Sequence, residues 1–178
     1  MDIFELVEAD DGAAIRELLA QDPGAAGARD EAGISPLTRA LYRGNRDAFA
    51  AIRESVPLAH PWDRLLAGEA EGIPAPDAWS ADGFTPLHLA AYVHNAAAAR
   101  LLLEAGADPN VLSRASFARV SPLGTCAFAG ATEVARVLLE YGADPTIAED
   151  DRFTPRAVAE ANGNTELAAL LREAGGRG

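Results

Sequence analysis

Apolar residues fall along this chain in short blocks with helical spacing rather than strict alternation. Val134, Val137 and Leu138 stand at i, i+3 and i+4, and Ala98, Leu101 and Leu102 repeat that pattern, which lines one face of a 3.6-residue helix. Upstream of such blocks stands a hydroxyl residue followed by proline: Ser35-Pro36, Thr85-Pro86, Ser121-Pro122 and Thr154-Pro155. The hydroxyl can cap a helix, and proline suits the first turn, where its missing N–H is no loss. First helices are therefore predicted to start at Pro36, Pro86, Pro122 and Pro155. Turns follow at Gly44, Gly130 and Gly163, where positive φ is cheap; His94-Asn95 takes that place once, as a left-handed pair. Gly106, Gly142 and Gly175 are predicted to end the second helices. The four prolines lie 50, 36 and 33 residues apart, so the chain reads as helix pairs with a period near 33 and irregular insertions.

The earlier part fits the same scheme more loosely, with helices expected at Phe4 to Glu8 and Ala13 to Ala20, then a pair within Ser35 to Ser55. From Val56 to Ser80 the pattern fails. Pro57, Pro61, Pro74 and Pro76 leave room for one short helix around Trp62 to Ala70. Trp62, Leu65, Leu66, Ile73 and Trp79 offer apolar contacts, so this segment is expected to pack as a degenerate repeat. The expected division is one domain over 1–178: a capping repeat 1–33, a repeat 34–58, the degenerate repeat 59–79, repeats 80–112 and 113–147, and a C-terminal cap 148–175. A pair cannot bury its apolar stripe alone, and stacking supplies the core.

The run Thr85 Pro86 Leu87 His88 Leu89 Ala90 Ala91, with Leu101 Leu102 Leu103 Glu104 Ala105 Gly106 Ala107 Asp108 Pro109 Asn110, resembles the ankyrin repeat family. The likeness covers about residues 80 to 175 clearly and 1 to 58 more loosely. It implies an all-α ankyrin-type solenoid of stacked helix-turn-helix repeats with β-turn finger loops, acting by binding other proteins. It also implies a structural role for His88, bonded to the Thr85 side chain or a neighbouring loop. Gly124 and Arg156 are read as standing at the equivalent of His88, which costs those repeats a brace. The finger before Ser121 is three residues longer than the common spacing.

Composition sharpens this picture. There are 40 alanines and 6 % aromatic residues, a composition of thin, closely packed helices. All 15 basic residues are arginine, against 27 acidic ones, for a net charge of −12. Such an acid excess repels phosphate backbones and argues against nucleic-acid binding. The arginine and alanine bias without lysine fits the coding of a GC-rich bacterial genome. One cysteine, Cys126, and an N-terminus without basic and apolar signal regions lead to the expectation of a reducing, cytoplasmic setting. The most apolar stretch, Leu87 to Leu103, is interrupted by His88, His94, Asn95 and Arg100, so no membrane span is expected.

Residues able to do chemistry are few and scattered. Cys126 lies among Leu123 and Ala127 and reads as a small core filler. His60 has no carboxylate or cysteine at metal spacing. Asp10-Asp11, Asp150-Asp151 and Glu69 with Glu71 fall at turns or fingers, where solvated charge is the ordinary case. No phosphate-loop glycine spacing occurs. Neither cofactor nor metal is expected, and no catalysis.

The register instead points to a groove. The last turns of the first helices supply Tyr42, Arg43, Tyr92, Val93 and Phe128, and the finger tips supply Phe84, Phe117, Val120 and Phe153. Phe153 is expected to pack on a neighbouring finger; Phe84 stands open between that and a partner. Arg43, Arg114, Arg119 and Arg152 would give this edge a basic rim. The partner-binding set is Tyr42, Arg43, Phe84, Tyr92, Val93, Phe117, Arg119 and Phe128, facing a protein or peptide with acidic residues, the chain itself being a monomer. Two rivals are a dedicated inhibitory or stabilising subunit of one protein, and an enzyme with its site in the irregular segment 57–79.

Overall fold

Alanine decides how closely the helices approach. In the computed structural model, which describes residues 2–116, 119–148 and 153–176, Ala40, Ala48, Ala51, Ala90, Ala91, Ala98, Ala99, Ala127, Ala135 and Ala159 are completely buried. They are the small contacts at which neighbouring helices meet, while leucines fill the space between pairs. Among the described residues every regular element is helical.

The chain forms two compact units that divide between Ala67 and Gly68, inside the stretch 59–79. The first contains α1 (Ile3–Glu8), α2 (Gly12–Gln21), a 3-10 turn (Pro23–Gly27), α3 (Pro36–Arg43), α4 (Arg46–Ser55) and α5 (Pro61–Leu66). Here α1 packs on α3 and α3 on α5, while α2 packs on α4. The core joins Val7, Ile15, Leu19, Leu37 and Ile52; burying a side chain of this size stabilises by about 1.5–3 kcal/mol. Gly12 sits where α2 crosses α4, and a Cβ there would lie 2.7 Å from the Asp47 carbonyl oxygen.

The second unit contains α6 (Pro86–Tyr92), α7 (Ala96–Glu104), α8 (Pro122–Ala129), α9 (Thr132–Glu140), α10 (Pro155–Ala161) and α11 (Thr165–Gly175). These are three helix pairs in two rows: α6, α8 and α10 pack in succession, as do α7, α9 and α11. The finger loops join backbone to backbone. Arg114 N donates to Gly83 O at 2.7 Å, and a Cβ on Gly83 would meet Ala115 N at 2.7 Å, so this approach requires glycine. The longer finger before Ser121 is closed at its base, where Ser113 N donates to Val120 O and Val120 N to Ser113 Oγ.

All four first helices begin at the proline expected of them, and Ser35, Ser121 and Thr154 cap theirs. Gly44, Gly130 and Gly163 have positive φ. At the fourth turn only His94 does (φ 58°); Asn95 is not part of a left-handed pair but the N-cap of α7, its side chain accepting from Ala98 N. Gly175 does not end a helix as Gly106 and Gly142 do: it is the last helical residue of α11. Capping also corrects one register. Thr154 Oγ1 accepts from Ala157 N just as Ser121 Oγ accepts from Gly124 N, so Ala157, not Arg156, is the counterpart of His88.

The short helix α5 is held by a residue that local sequence pattern does not mark. Asp63 is 4 % exposed. Ser35 Oγ donates to its Oδ1 at 2.5 Å and the Arg29 guanidinium to its Oδ2 at 3.0 Å, while Ser35 Oγ also accepts from Thr38 N at the start of α3. A buried carboxylate satisfied on both oxygens ties α5 to the cap of α3. Asp63→Ala should lower the unfolding free energy of the first unit by about 2–4 kcal/mol, because two donors lose their acceptor. Urea unfolding followed by circular dichroism measures this, and a change below ~0.5 kcal/mol would refute the role of the network.

Candidate functional site

The ends of the first helices are where buried side chains give way to exposed ones. In α8 the run Pro122 to Ala127 is buried, and the next residue, Phe128, is 66 % exposed. Tyr92 is its register counterpart on α6, and Tyr92 and Val93 are both half-buried. Because α6 packs on α8, these three residues share one end of the second unit. The backbone beside Phe128 is clamped from both sides. His94 Nε2 donates to Ala129 O at 3.0 Å, and Asn164 Nδ2 donates to Ala127 O at 3.1 Å. Carbonyls of a helix's last turn lack intrahelical partners, and here neighbouring repeats supply them.

The fingers bring different contacts. Phe84 is half-buried and tilts over the His88 ring at 5.8 Å between centroids. Arg114 stacks on Trp79, 3.8 Å from the ring centroid, a cation–π contact that fixes the guanidinium on its own chain. Arg119 and Phe153 are exposed; Phe153, expected to be packed on a neighbouring finger, keeps 61 % of its surface open. Phe117 and Arg152 lie outside the described residues. Tyr42 and Arg43 belong to the first unit, where Tyr42 is 39 % exposed and Arg43 Nε lies 3.5 Å from Glu8 Oε2. The expected row is thus shared between two units, with Tyr92, Val93, Phe84, Arg119 and Phe128 on the second.

His88 is the most constrained polar group here. It is completely buried, with Nε2 2.9 Å from Val120 O and Nδ1 2.7 Å from Thr85 Oγ1. A carbonyl only accepts, so Nε2 carries the proton and Nδ1 accepts from the Thr85 hydroxyl and from Thr85 N–H at 3.3 Å. Burial pushes its pKa from 6.5 down to about 4, partly offset by the bond to Val120. The ring is a neutral brace between α6 and the base of the next finger. Cys126 is likewise sealed in, and burial pushes its thiol well above the ordinary range, which disfavours the reactive thiolate.

The carboxylates at turns act as caps. Asp11 caps α2, and Asp10 accepts from Ala48 N at 2.8 Å; Asp150 and Asp151 lie outside the described residues. Among the described residues no group of three His, Cys, Asp or Glu side chains is placed to hold a metal ion, and no helix is long and apolar enough to cross a membrane.

Stability follows from the His88 value. The unfolded chain takes up this proton near pH 6.5 and the native chain only near 4, so stability is full above 6.5 and falls as pH drops towards 4. The loss should reach about 2–3 kcal/mol at pH 4.5, at ~1.4 kcal/mol per pKa unit. Urea unfolding of wild type and His88→Gln at pH 7 and 4.5 isolates it. Identical pH dependence in the two proteins would refute the assignment.

The comparisons agree with the two-row stack of helix pairs. Residues 82–114 match the model of the ankyrin repeat family. The chain is also similar to human neurogenic locus notch homolog protein 4, 40 % identical over 84 residues, which is 47 % of this chain and 4 % of that protein. Ankyrin repeats are protein–protein interaction modules, in general without catalytic activity. With capped helix pairs, backbone-paired fingers and the bracing histidine in place, residues 82–114 carry a repeat of the ankyrin family.

Proposed function

We propose that the second unit binds a protein segment through the ends of α6 and α8, with Phe128 as the anchor, Tyr92 and Val93 beside it, and the fingers carrying Phe84 and Arg119 at the rim. The observation that supports this most directly is Phe128 itself, a large apolar side chain 66 % exposed at the end of a helix buried from Pro122 to Ala127. The clamps on Ala127 O and Ala129 O hold it in place before any partner arrives, which reduces the ordering cost of binding. Arginine at the rim favours a partner bearing carboxylates, through charge-assisted hydrogen bonds. In the first unit Tyr42 and Arg43 occupy the equivalent helix end and offer a second, smaller contact.

Action is equilibrium capture with no bond made or broken. The setting proposed is the cytoplasm, where a lone buried thiol such as Cys126 stays reduced, and the chain works as a monomer holding its partner.

Tyr92→Ala and Phe128→Ala together should weaken capture of the partner at least tenfold, about 1.4 kcal/mol. Affinity capture from a native lysate with the double variant as control identifies the partner, and calorimetry on the isolated pair measures the loss. Unchanged affinity in a folded double variant would sink this assignment.

A further inference from the structure

The second helices of the second unit share a register set by their N-caps, Asn95, Ala131 and Asn164. In it Arg100 and Glu104 of α7 correspond to Arg136 and Glu140 of α9, and Tyr141, just after α9, corresponds to Ala174 near the end of α11. The tyrosine reaches back to α7. Its hydroxyl donates to Glu104 Oε1 at 3.4 Å, and the Arg100 guanidinium lies over its ring, 5.9 Å from the centroid. One repeat further on, Arg136 and Glu140 stand in the same places, but Ala174 offers them neither ring nor hydroxyl.

A groove of about 450 Å³ lies there between α9 and α11, and Arg136, Glu140 and Ala174 all line it. Its volume is in the range of clefts that hold ligands. Leu139, Pro145 and Leu170, each half-buried, give it apolar walls. Glu173 lines it too. Its counterpart Glu140 accepts from Arg100 at 2.9 Å, but Arg136 bonds Glu166 at 2.8 Å and pairs with Glu133, which leaves Glu173 without a partner among the described residues. The groove thus offers apolar walls, a guanidinium already neutralised by other carboxylates, and two carboxylates of its own. A neutral ring carrying a hydroxyl donor matches that set, and an anion does not.

We propose that this groove binds a tyrosine side chain of a protein partner, its ring against Leu139, Pro145 and Leu170 beside the Arg136 guanidinium and its hydroxyl donating to Glu140. The molecule's own Tyr141 makes the same two contacts with the same two residue types one repeat earlier. The guest ring supplies what Ala174 lacks. A second copy of this chain is a poor source of that tyrosine, because at −12 the copies repel one another. No lining residue belongs to the helix ends bearing Phe128, so the two sites stand or fall separately.

The test titrates the full chain, labelled with nitrogen-15, with the peptide acetyl-Gly-Gly-Tyr-Gly-Gly-amide. Amide resonances of Leu139, Ala143, Leu170 and Ala174 should shift, with a dissociation constant on the order of 1 mM for so small a probe. The phenylalanine analogue, lacking the hydroxyl, should bind about fivefold more weakly, and the phosphotyrosine analogue should not bind, because it brings negative charge to Glu140 and Glu173. Ala174→Tyr, which supplies the ring from within the chain, should abolish peptide binding. Arg136→Gln and Glu140→Gln, both at exposed positions, should each weaken the peptide about threefold. The proposal is overturned if the tyrosine peptide leaves those resonances unmoved, if either analogue binds as tightly, if folded Ala174→Tyr still binds it, or if neither glutamine variant weakens it. Shifts gathered at Phe128 instead, or a dimer in sedimentation that Ala174→Tyr removes, would overturn it as well.

Discussion

A helix pair of six to eleven residues per helix cannot cover its own apolar stripe, and everything else in this molecule follows from that shortfall. Each pair must lie against another, and the approach is close because the contact positions are alanine. Ala90, Ala91, Ala98, Ala99, Ala127 and Ala135 are fully buried between helices of the second unit, where a larger side chain would force the rows apart. The leucines then interlock between layers, and the helix ends and loops are placed by the stack rather than by their own preferences.

Polar contacts between repeats follow the same logic at the turns. Asn45 Nδ2 donates to Val7 O, Asn95 Nδ2 to Glu69 O, and Asn164 Nδ2 to Ala127 O: each time the asparagine opening a second helix reaches a carbonyl of the repeat before it. Ala131 occupies that position in the α8–α9 turn and can make no such bond. There His94 reaches Ala129 O from the preceding repeat. His88 performs a comparable task between α6 and Val120, and the Asp63 carboxylate performs it in the first unit. Neighbouring repeats within each unit are thus joined at helix ends and fingers by hydrogen bonds whose chemistry and position vary.

Such a scaffold leaves function to the side chains it does not bury. Phe128 at the end of α8 and Leu101 on the outer side of α7 are exposed for different reasons. Phe128 follows a completely buried run and stands on a clamped turn, an arrangement suited to a rigid anchor. Leu101 follows residues 68–79, which form no helix. Departures from the repeat therefore distinguish one such protein from another more than the repeated parts do.

Helix starts at the four prolines and the turns at Gly44, Gly130 and Gly163 were legible in the sequence, because each depends on residues within one repeat; the bracing role of His88 was legible only through the family resemblance, since its bond to Val120 O reaches the next repeat. The place of Phe128 at the end of α8 was legible too, since its position within the repeat is fixed by the cap. What sequence did not mark were contacts between residues far apart: Asp63 with Ser35 and Arg29, Arg114 with Trp79, and Gly83 against the backbone of Ala115. The openness of Phe153 and the shift of the His88 register to Ala157 depended likewise on loop and cap geometry. Local propensity and capping determined which helices form, since those act over a few residues. Only packing decided which side chains were left uncovered, because burial depends on what the rest of the chain brings alongside.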